Sequence, residues 1–439
     1  MGAFKTVRLS ECSEDDWRLL SKRSELEIEL AMPRVNRIVA DVRCNGDRAL
    51  IKYAAQFDKV KLTPEKLKVT DKEIERAYTA IDIKLINAIR NSADAIRKFH
   101  EEQLPEKWIK KMGNGVKAGQ LVRQLERVGV YAPGGLAKYP SSMLMAAIPA
   151  KVAGVEEIIA CTPPNNDGNV DAAVLVAAKE AGVDVVFKVG GAQAIAAMAY
   201  GTKTIPKVDK IVGPGNIYVN AAKYAVSKDV EIDTIAGPSE VMIIADSTAS
   251  ANYIVADMIA QAEHDPQAAA VLVTTSEELA KKVVKMLKEA IDNTERWKIV
   301  ERSLINNGLV AIARDVDEAI RFANCYAPEH LELMVKDPWS AVDKVKNAGS
   351  IFIGHYSPVS AGDFGAGPNH ILPTGGSARR SSGLSVLDFL KFPTVQELSR
   401  DALVKMSETI YAFAEAEGLP GHAESVRERL RERNGVRNT

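Results

Sequence analysis

Between residues 127 and 237 short apolar runs alternate with longer apolar segments, and this alternation restricts the chain more than any other feature. "RVGVYAPGG", "VEEIIACT", "VDVVFKVGG" and "VDKIVGPG" have the length of strands. Between and after them come "SSMLMAAIPAKVAG", "VDAAVLVAAKEAG", "AQAIAAMAYG" and "NIYVNAAKYAV", which have the length of helices. Strands that are apolar on both faces and joined by helices imply a parallel sheet covered on each side. The pattern resumes after residue 237, with "EVMIIAD", "AAAVLVTT" and "NGLVAIAR" as strands. "TASANYIVADMIAQAEH" and "SEELAKKVVKMLKEAID" are the helices between them. The expected class is α/β, with two Rossmann-like modules in tandem.

The flanks decide how those modules are completed. Residues 1–25 are polar and read as a short arm. Pro33 to Phe57 and Thr70 to Gln103 carry apolar residues at helical spacing and predict long amphipathic helices. Such helices need a sheet to pack on, and the expectation assigns them to the second module, which becomes discontinuous. The division is then an arm over 1–25, a discontinuous module over 26–129 plus 238–380, and a continuous one over 130–237. A helical, charged C-terminal region over 381–439 follows. A chain of 439 residues is long enough for this organisation.

Charge bounds the partner. With 57 basic and 58 acidic residues there is no electrostatic footprint for nucleic acid or an anionic membrane. A small molecule is the expected substrate. No run approaches a membrane span, and the N-terminus has no apolar core of the signal type. Cys12, Cys44, Cys161 and Cys325 lack paired spacing, which argues against disulfides and a cysteine metal cluster. A cytoplasmic location is the expectation.

Groups able to do chemistry collect where elements meet loops. Of six histidines, His100 follows an amphipathic helix and reads as a surface residue, whereas His264, His330, His355, His370 and His422 lie in Gly- and Pro-punctuated segments. "VADMIAQAEHDP" ends a helix with Gln261, Glu263, His264 and Asp265. Gln261 and His264 share a helical face, and zinc takes nitrogen and oxygen donors. A solvated helix end would look the same, and by chemistry alone Glu263 outranks Gln261. Asp363 in "SAGDFGAGPNH" is flanked by small residues that let a backbone approach a ligand, or it caps its own turn. "YAPEHLEL" sets Glu329 beside His330, where an imidazole could serve as general base. An exposed acid–histidine pair before a strand is the alternative. "YAPGG", "KVGGAQA" and "VGPGNIY" place glycines at successive strand ends, where backbone N–H groups can receive a phosphate, though none is G-x-G-x-x-G. Cys161 has no neighbouring base and reads as a buried small residue.

Together, "ERVGVYAPGG", "GGAQAIAAMAYGT", "VGPGNIYVNAAK", "IDTIAGPSEVMIIAD", "DMIAQAEHDP", "YAPEHLEL", "AGSIFIG", "GDFGAGPNHILPTGG" and "SSGLSVLDFLK" are similar, in this order, to the histidinol dehydrogenase family. The resemblance runs from the helices near Pro33 to His422. It implies a zinc- and NAD⁺-dependent enzyme of histidine biosynthesis, oxidising L-histidinol through L-histidinaldehyde to L-histidine with reduction of two NAD⁺. It assigns zinc to Gln261, His264, Asp363 and His422, and proton transfer to Glu329 and His330. Substrate contacts fall on Ser239, Gln261, His264, His330, Asp363, Glu417 and His422. Dinucleotide contacts fall on Tyr131, Gln193 and Asn216. His370 takes a supporting role near the site. The resemblance also implies a homodimer whose C-terminal tails are exchanged, so that Glu417 and His422 serve the neighbouring subunit. Two other functions fit parts of the pattern. A zinc hydrolase would use the same water-activating groups but would not need three glycine turns at strand ends. A dinucleotide-sensing scaffold with a closed structural metal would leave Glu329 and His330 idle.

Overall fold

The computed structural model describes residues 5–23, 28–134 and 139–431. They fall into two compact units, residues 1–103 with 125–389 and residues 104–124 with 390–439. Among the described residues no helix is long and apolar enough to cross a membrane.

The larger unit contains two parallel sheets. In the five-stranded sheet the spatial order is Val185–Lys188, Glu157–Thr162, Arg127–Tyr131, Lys210–Val212 and Glu231–Ile232, with every neighbouring pair parallel. The order therefore reverses between Arg127–Tyr131 and Lys210–Val212. In open α/β sheets such a reversal opens a crevice beyond the carboxyl ends of the strands. The six-stranded sheet runs Lys5–Arg8, Leu309–Ile312, Ala269–Thr274, Glu240–Ala245, His330–Met334 and Ser350–Ile353, again all parallel. Its own reversal lies between Glu240–Ala245 and His330–Met334.

Three features of the larger unit differ from the sequence expectations. The polar arm supplies a strand, Lys5–Arg8, at the edge of the six-stranded sheet. An edge strand has one paired side and little burial, so its sequence carries no apolar alternation. The long N-terminal helices cover the first module and not the second. Ile28–Asn45 packs on Gly191–Tyr200 and Ile217–Val226, Asp71–Ala80 on Ala172–Ala181, and Ile83–Glu101 on Pro140–Val152. The cause lies in the inner helices. Residues Ala192 to Ala199 are all buried, so that helix is apolar all round and needs a cover on its outer side. Val35, Ile38, Val39 and Val42 form the complementary stripe and join the same core as Ile195 and Val219. Finally, His100 is fully buried, with Nδ1 2.8 Å from the Ile96 carbonyl, and is not a surface residue. Cys161 is buried, as its neighbours suggest.

The smaller unit takes residues 104–124 away from the discontinuous module expected to hold them. Trp108–Gly113, Val116–Gln120 and Thr394–Leu398 form an antiparallel sheet. Asn114 and Gly115 join the first two strands with φ of 51° and 79°. Two consecutive positive φ values are what a two-residue hairpin demands, and Asn-Gly meets that demand best. Helices Arg400–Ala416 and Pro420–Leu430 pack on each other in the same unit.

Candidate active site

A cavity of about 1290 Å³ lies in the larger unit. Tyr131, Pro133 and Gly134 line it from beyond one strand of the five-stranded sheet, and Pro214, Gly215 and Asn216 from beyond the next. These are the carboxyl ends at the reversal, where a ligand is expected. The "YAPGG" turn is described only as far as Gly134, and Gly135 lies outside the described residues. The opposite wall comes from amino ends: Ser239 precedes Glu240–Ala245, and Glu329 and His330 open His330–Met334. Helix Ala251–Ala262 returns to this same edge, so its last turn delivers Gln261 and the turn beyond delivers His264.

His330 and Glu329 are both buried. His330 Nδ1 lies 2.9 Å from the Glu240 carbonyl oxygen and 3.4 Å from Glu329 Oε2. The shorter contact assigns the ring proton: Nδ1–H donates to the carbonyl, and Nε2 keeps a lone pair. Nε2 is buried without a hydrogen-bond partner. Burial pulls the His330 pKa down to about 4, and burial together with the charges of Glu240 and Asp363 pushes Glu329 well above the carboxylate range. His330 is thus neutral near pH 7, and its contact with Glu329 is not an ion pair. A neutral imidazole with one committed nitrogen and one open nitrogen is set up to accept a proton.

Glu240 is the hub that the sequence analysis missed. Its backbone N–H donates to Glu329 Oε2 at 2.8 Å, and its carboxylate accepts from Glu329 N–H at 3.3 Å and Gly375 N–H at 3.2 Å. The same carboxylate is paired with the Arg23 guanidinium through Nε and through Nη2, the latter at 2.8 Å. Arg23 also donates to the carbonyls of Tyr326 and Ala327, at 3.0 and 3.3 Å, and lies over the Tyr326 ring. Ala327 has a φ of 54°, in a left-handed region that costs an alanine about 1–2 kcal/mol. Arg23 therefore braces the strained turn that presents Glu329. Its only sequence signal is a charged residue in a polar arm.

Gln261, His264, Asp363 and His370 gather on the cavity wall. Gln261 is buried with Nε2 lacking a partner. Asp363 ends the short helix Val359–Phe364 and lies 3.7 Å from His370 Nδ1. Burial raises the Asp363 pKa to about 6 and lowers that of His264. The Gln261 amide oxygen, a neutral imidazole and a carboxylate short of compensating charge form a donor set that suits a divalent cation. Among the described residues no three His, Cys, Asp or Glu side chains are already grouped as a metal centre. Of the sequence-expected ligands, His422 lies in the other unit. Glu417 follows helix Arg400–Ala416 and His422 sits in Pro420–Leu430, and both are exposed.

On the nucleotide side the expected residues separate. Tyr131 is buried on the cavity wall; its hydroxyl accepts from the Gly191 N–H at 3.0 Å, and burial pushes its pKa up to about 12. Asn216 lines the cavity and caps the helix Ile217–Val226, its Oδ1 accepting from Tyr218 and Val219 N–H. Gln193 is buried two residues beyond Gly191 and is not part of the cavity wall. A side chain on Gly213 would collide with the Tyr131 carbonyl, and its φ of 118° suits glycine alone. Lys223 and Asp233, a buried ion pair, grip this turn from behind: Lys223 donates to the Gly213 carbonyl and Asp233 accepts the Gly213 N–H.

The profile of the histidinol dehydrogenase family matches residues 21–430. A histidinol dehydrogenase of Methanothermobacter thermautotrophicus is 50% identical over 427 residues, covering 97% of this chain and 100% of that protein. One from Methanosarcina mazei is 49% identical over 424 residues, covering 96% and 97%. The crystal structure of histidinol dehydrogenase from Elizabethkingia anophelis superposes with a TM-score of 0.94 at 38% identity, covering 98% of this chain and 99% of that one.

Proposed function

Because the chain belongs to the histidinol dehydrogenase family of NAD-dependent oxidoreductases, we propose that its cavity oxidises L-histidinol to L-histidine in two hydride transfers. The observation that carries this reading is His330, whose Nδ1–H is committed to a carbonyl while its buried Nε2 has no protein partner.

Gln261, His264 and Asp363 would hold zinc, with His422 as the fourth ligand. When bound, zinc supplies an anchor for the nitrogen and oxygen donors of the substrate. Tyr131, Asn216 and Gln193 would hold NAD⁺, which when bound supplies the hydride acceptor for each oxidation. His330 Nε2 takes the hydroxyl proton of the alcohol as the carbon gives up its hydride, which leaves an aldehyde. Water then adds to the aldehyde carbon: ionised Glu329 takes a proton from that water while His330 Nε2 returns its proton to the carbonyl oxygen, which gives the hydrate and frees Nε2. A buried carboxyl with a raised pKa is the stronger base once ionised. His330 accepts a second proton as the hydrate loses its hydride, and a carboxylic acid remains. Holding the aldehyde in a buried cavity protects it from side reactions. Ser239 lines the cavity and contacts substrate.

His422 and Glu417 come from a second copy of the chain. Supporting this, both are exposed and belong to the smaller unit, whose Arg400–Ala416 helix also exposes Val404, Met406 and Phe413. Exchange of a terminal element is a low-cost route to a dimer. A cytoplasmic location and a place at the end of histidine biosynthesis follow from the activity. The test is NADH formation by zinc-loaded protein given L-histidinol and NAD⁺, with His330→Gln as control. Turnover that depends on His330 supports the reading, and its absence with fully loaded protein overturns it.

A further inference from the structure

Behind the cavity wall the same elements carry a second pair of acids. Asp257 sits one helical turn before Gln261, and Glu332 lies two residues after His330 on the same strand. By helix and strand periodicity each shares the facing of the site residue it accompanies. Glu332 is fully buried, between Ile243 and Phe352 of the neighbouring strands. Its Oε1 accepts the Val359 N–H at 3.0 Å, and its Oε2 has no N–H or O–H donor. The Asp257 carboxyl is its acidic neighbour. Two carboxylates so placed repel, whereas one retained proton converts the contact into an O–H···O bond. Burial and the mutual charge favour keeping that proton on Glu332. Val359 opens the helix that ends by presenting Asp363.

We propose that Asp257 and Glu332 are positioning residues whose carboxyl–carboxyl hydrogen bond, together with the Val359 N–H, fixes the register of three elements. Those elements present Gln261 and His264, Glu329 and His330, and Asp363 to the cavity. The pair touches none of the reacting atoms. It acts through the residues one turn, two positions and four positions away. This inference rests on the metal role proposed above for Gln261, His264 and Asp363.

Zinc affinity, measured by competition with a chromophoric chelator on the full-length protein, separates positioning from core packing. Outer-shell changes typically weaken a metal by about 10–100-fold, and that is the loss expected for Glu332→Leu. kcat falls with it, while KM for NAD⁺ stays within about twofold because the nucleotide wall is built on the other sheet. Glu332→Gln restores both, since its amide donates to Asp257 and still accepts from Val359. Val359→Pro deletes one N–H at a first helical position that proline tolerates, and it should weaken zinc in the same direction. It keeps the test alive if Glu332→Leu does not fold. Wild-type zinc affinity and kcat in folded Glu332→Leu or in Val359→Pro, even with a lowered Tm, would overturn the inference alone. So would a Glu332→Gln protein as impaired as Glu332→Leu. Wild-type protein that binds no zinc would overturn the metal reading and this inference with it.

Discussion

Glu240→Gln tests the hub of the site without changing its shape. In the wild type the Arg23 side chain is 9% exposed and that of Glu240 is 1% exposed, so the pair is held out of water. The amide keeps one oxygen for the Glu329 and Gly375 N–H groups but turns an N–H₂ donor or a neutral oxygen toward the guanidinium. Breaking a buried pair by neutralising one partner costs about 3–5 kcal/mol, and the retained backbone bonds favour the lower end. The loss falls on the brace that Arg23 gives to Ala327, just ahead of Glu329. A shift of about 1 Å in a reacting group can cost about 10²-fold, so kcat should fall by about 10–100-fold with KM for NAD⁺ nearly unchanged. Urea denaturation and steady-state kinetics read the two effects separately. The double variant Arg23→Met with Glu240→Gln removes the uncompensated charge, so it should unfold at higher urea than Glu240→Gln alone yet remain slow. A Glu240→Gln protein with wild-type midpoint and wild-type kcat would refute the reasoning.

Four further outcomes follow from the same geometry. His264→Ala should lose most bound zinc and nearly all turnover while keeping its circular dichroism, and stoichiometric zinc in that variant would remove His264 from the ligand set. Glu329→Gln should damage oxidation of supplied histidinaldehyde more than alcohol oxidation, whereas His330→Gln should slow both by about 10²–10⁴-fold; equal effects of both variants on both half-reactions would contradict this division. A purified heterodimer of His330→Gln and His422→Ala chains should recover about half of the wild-type activity if tails are exchanged, because one site then carries both lesions and the other neither; an inactive heterodimer places His422 in its own chain. Glu332 is raised from 4.5 to about 8 beside Asp257, itself raised to about 6, so between those values the folded chain keeps a proton that the unfolded chain releases. Stability through this group is full below about pH 4.5 and declines as pH rises toward 8. The urea midpoint of Glu332→Gln should therefore gain on the wild type over that interval, and a constant difference from pH 5 to 8 would count against the assignment.

The sheets were legible because their strands are apolar on both faces, and a run such as "VMIIA" has few other uses. The spacing of Gln261 and His264 and the adjacency of Glu329 and His330 were legible for local reasons of the same kind. What escaped depends on contacts across long stretches of chain. An amphipathic stripe such as Val35, Ile38, Val39 and Val42 announces a buried face but not the surface that receives it. The Arg23–Glu240 pair spans 217 residues of sequence, and neither residue differs locally from a surface charge. "KTVR" has no alternation because an edge strand buries little. By contrast, Asn114-Gly115 between "WIKKMG" and "VKAGQ" is a local hairpin signal, and it separates residues 104–124 from the helices before them.

The most direct measurement is a stoichiometry. Zinc-loaded protein is given limiting L-histidinol with excess NAD⁺, and NADH, L-histidine and free aldehyde are quantified as the alcohol is exhausted. A single cavity in which His330 serves both oxidations and the aldehyde stays bound predicts two NADH for each histidine, with no aldehyde accumulating in solution. One NADH for each histidinol consumed, with free histidinaldehyde as the end product, would contradict it.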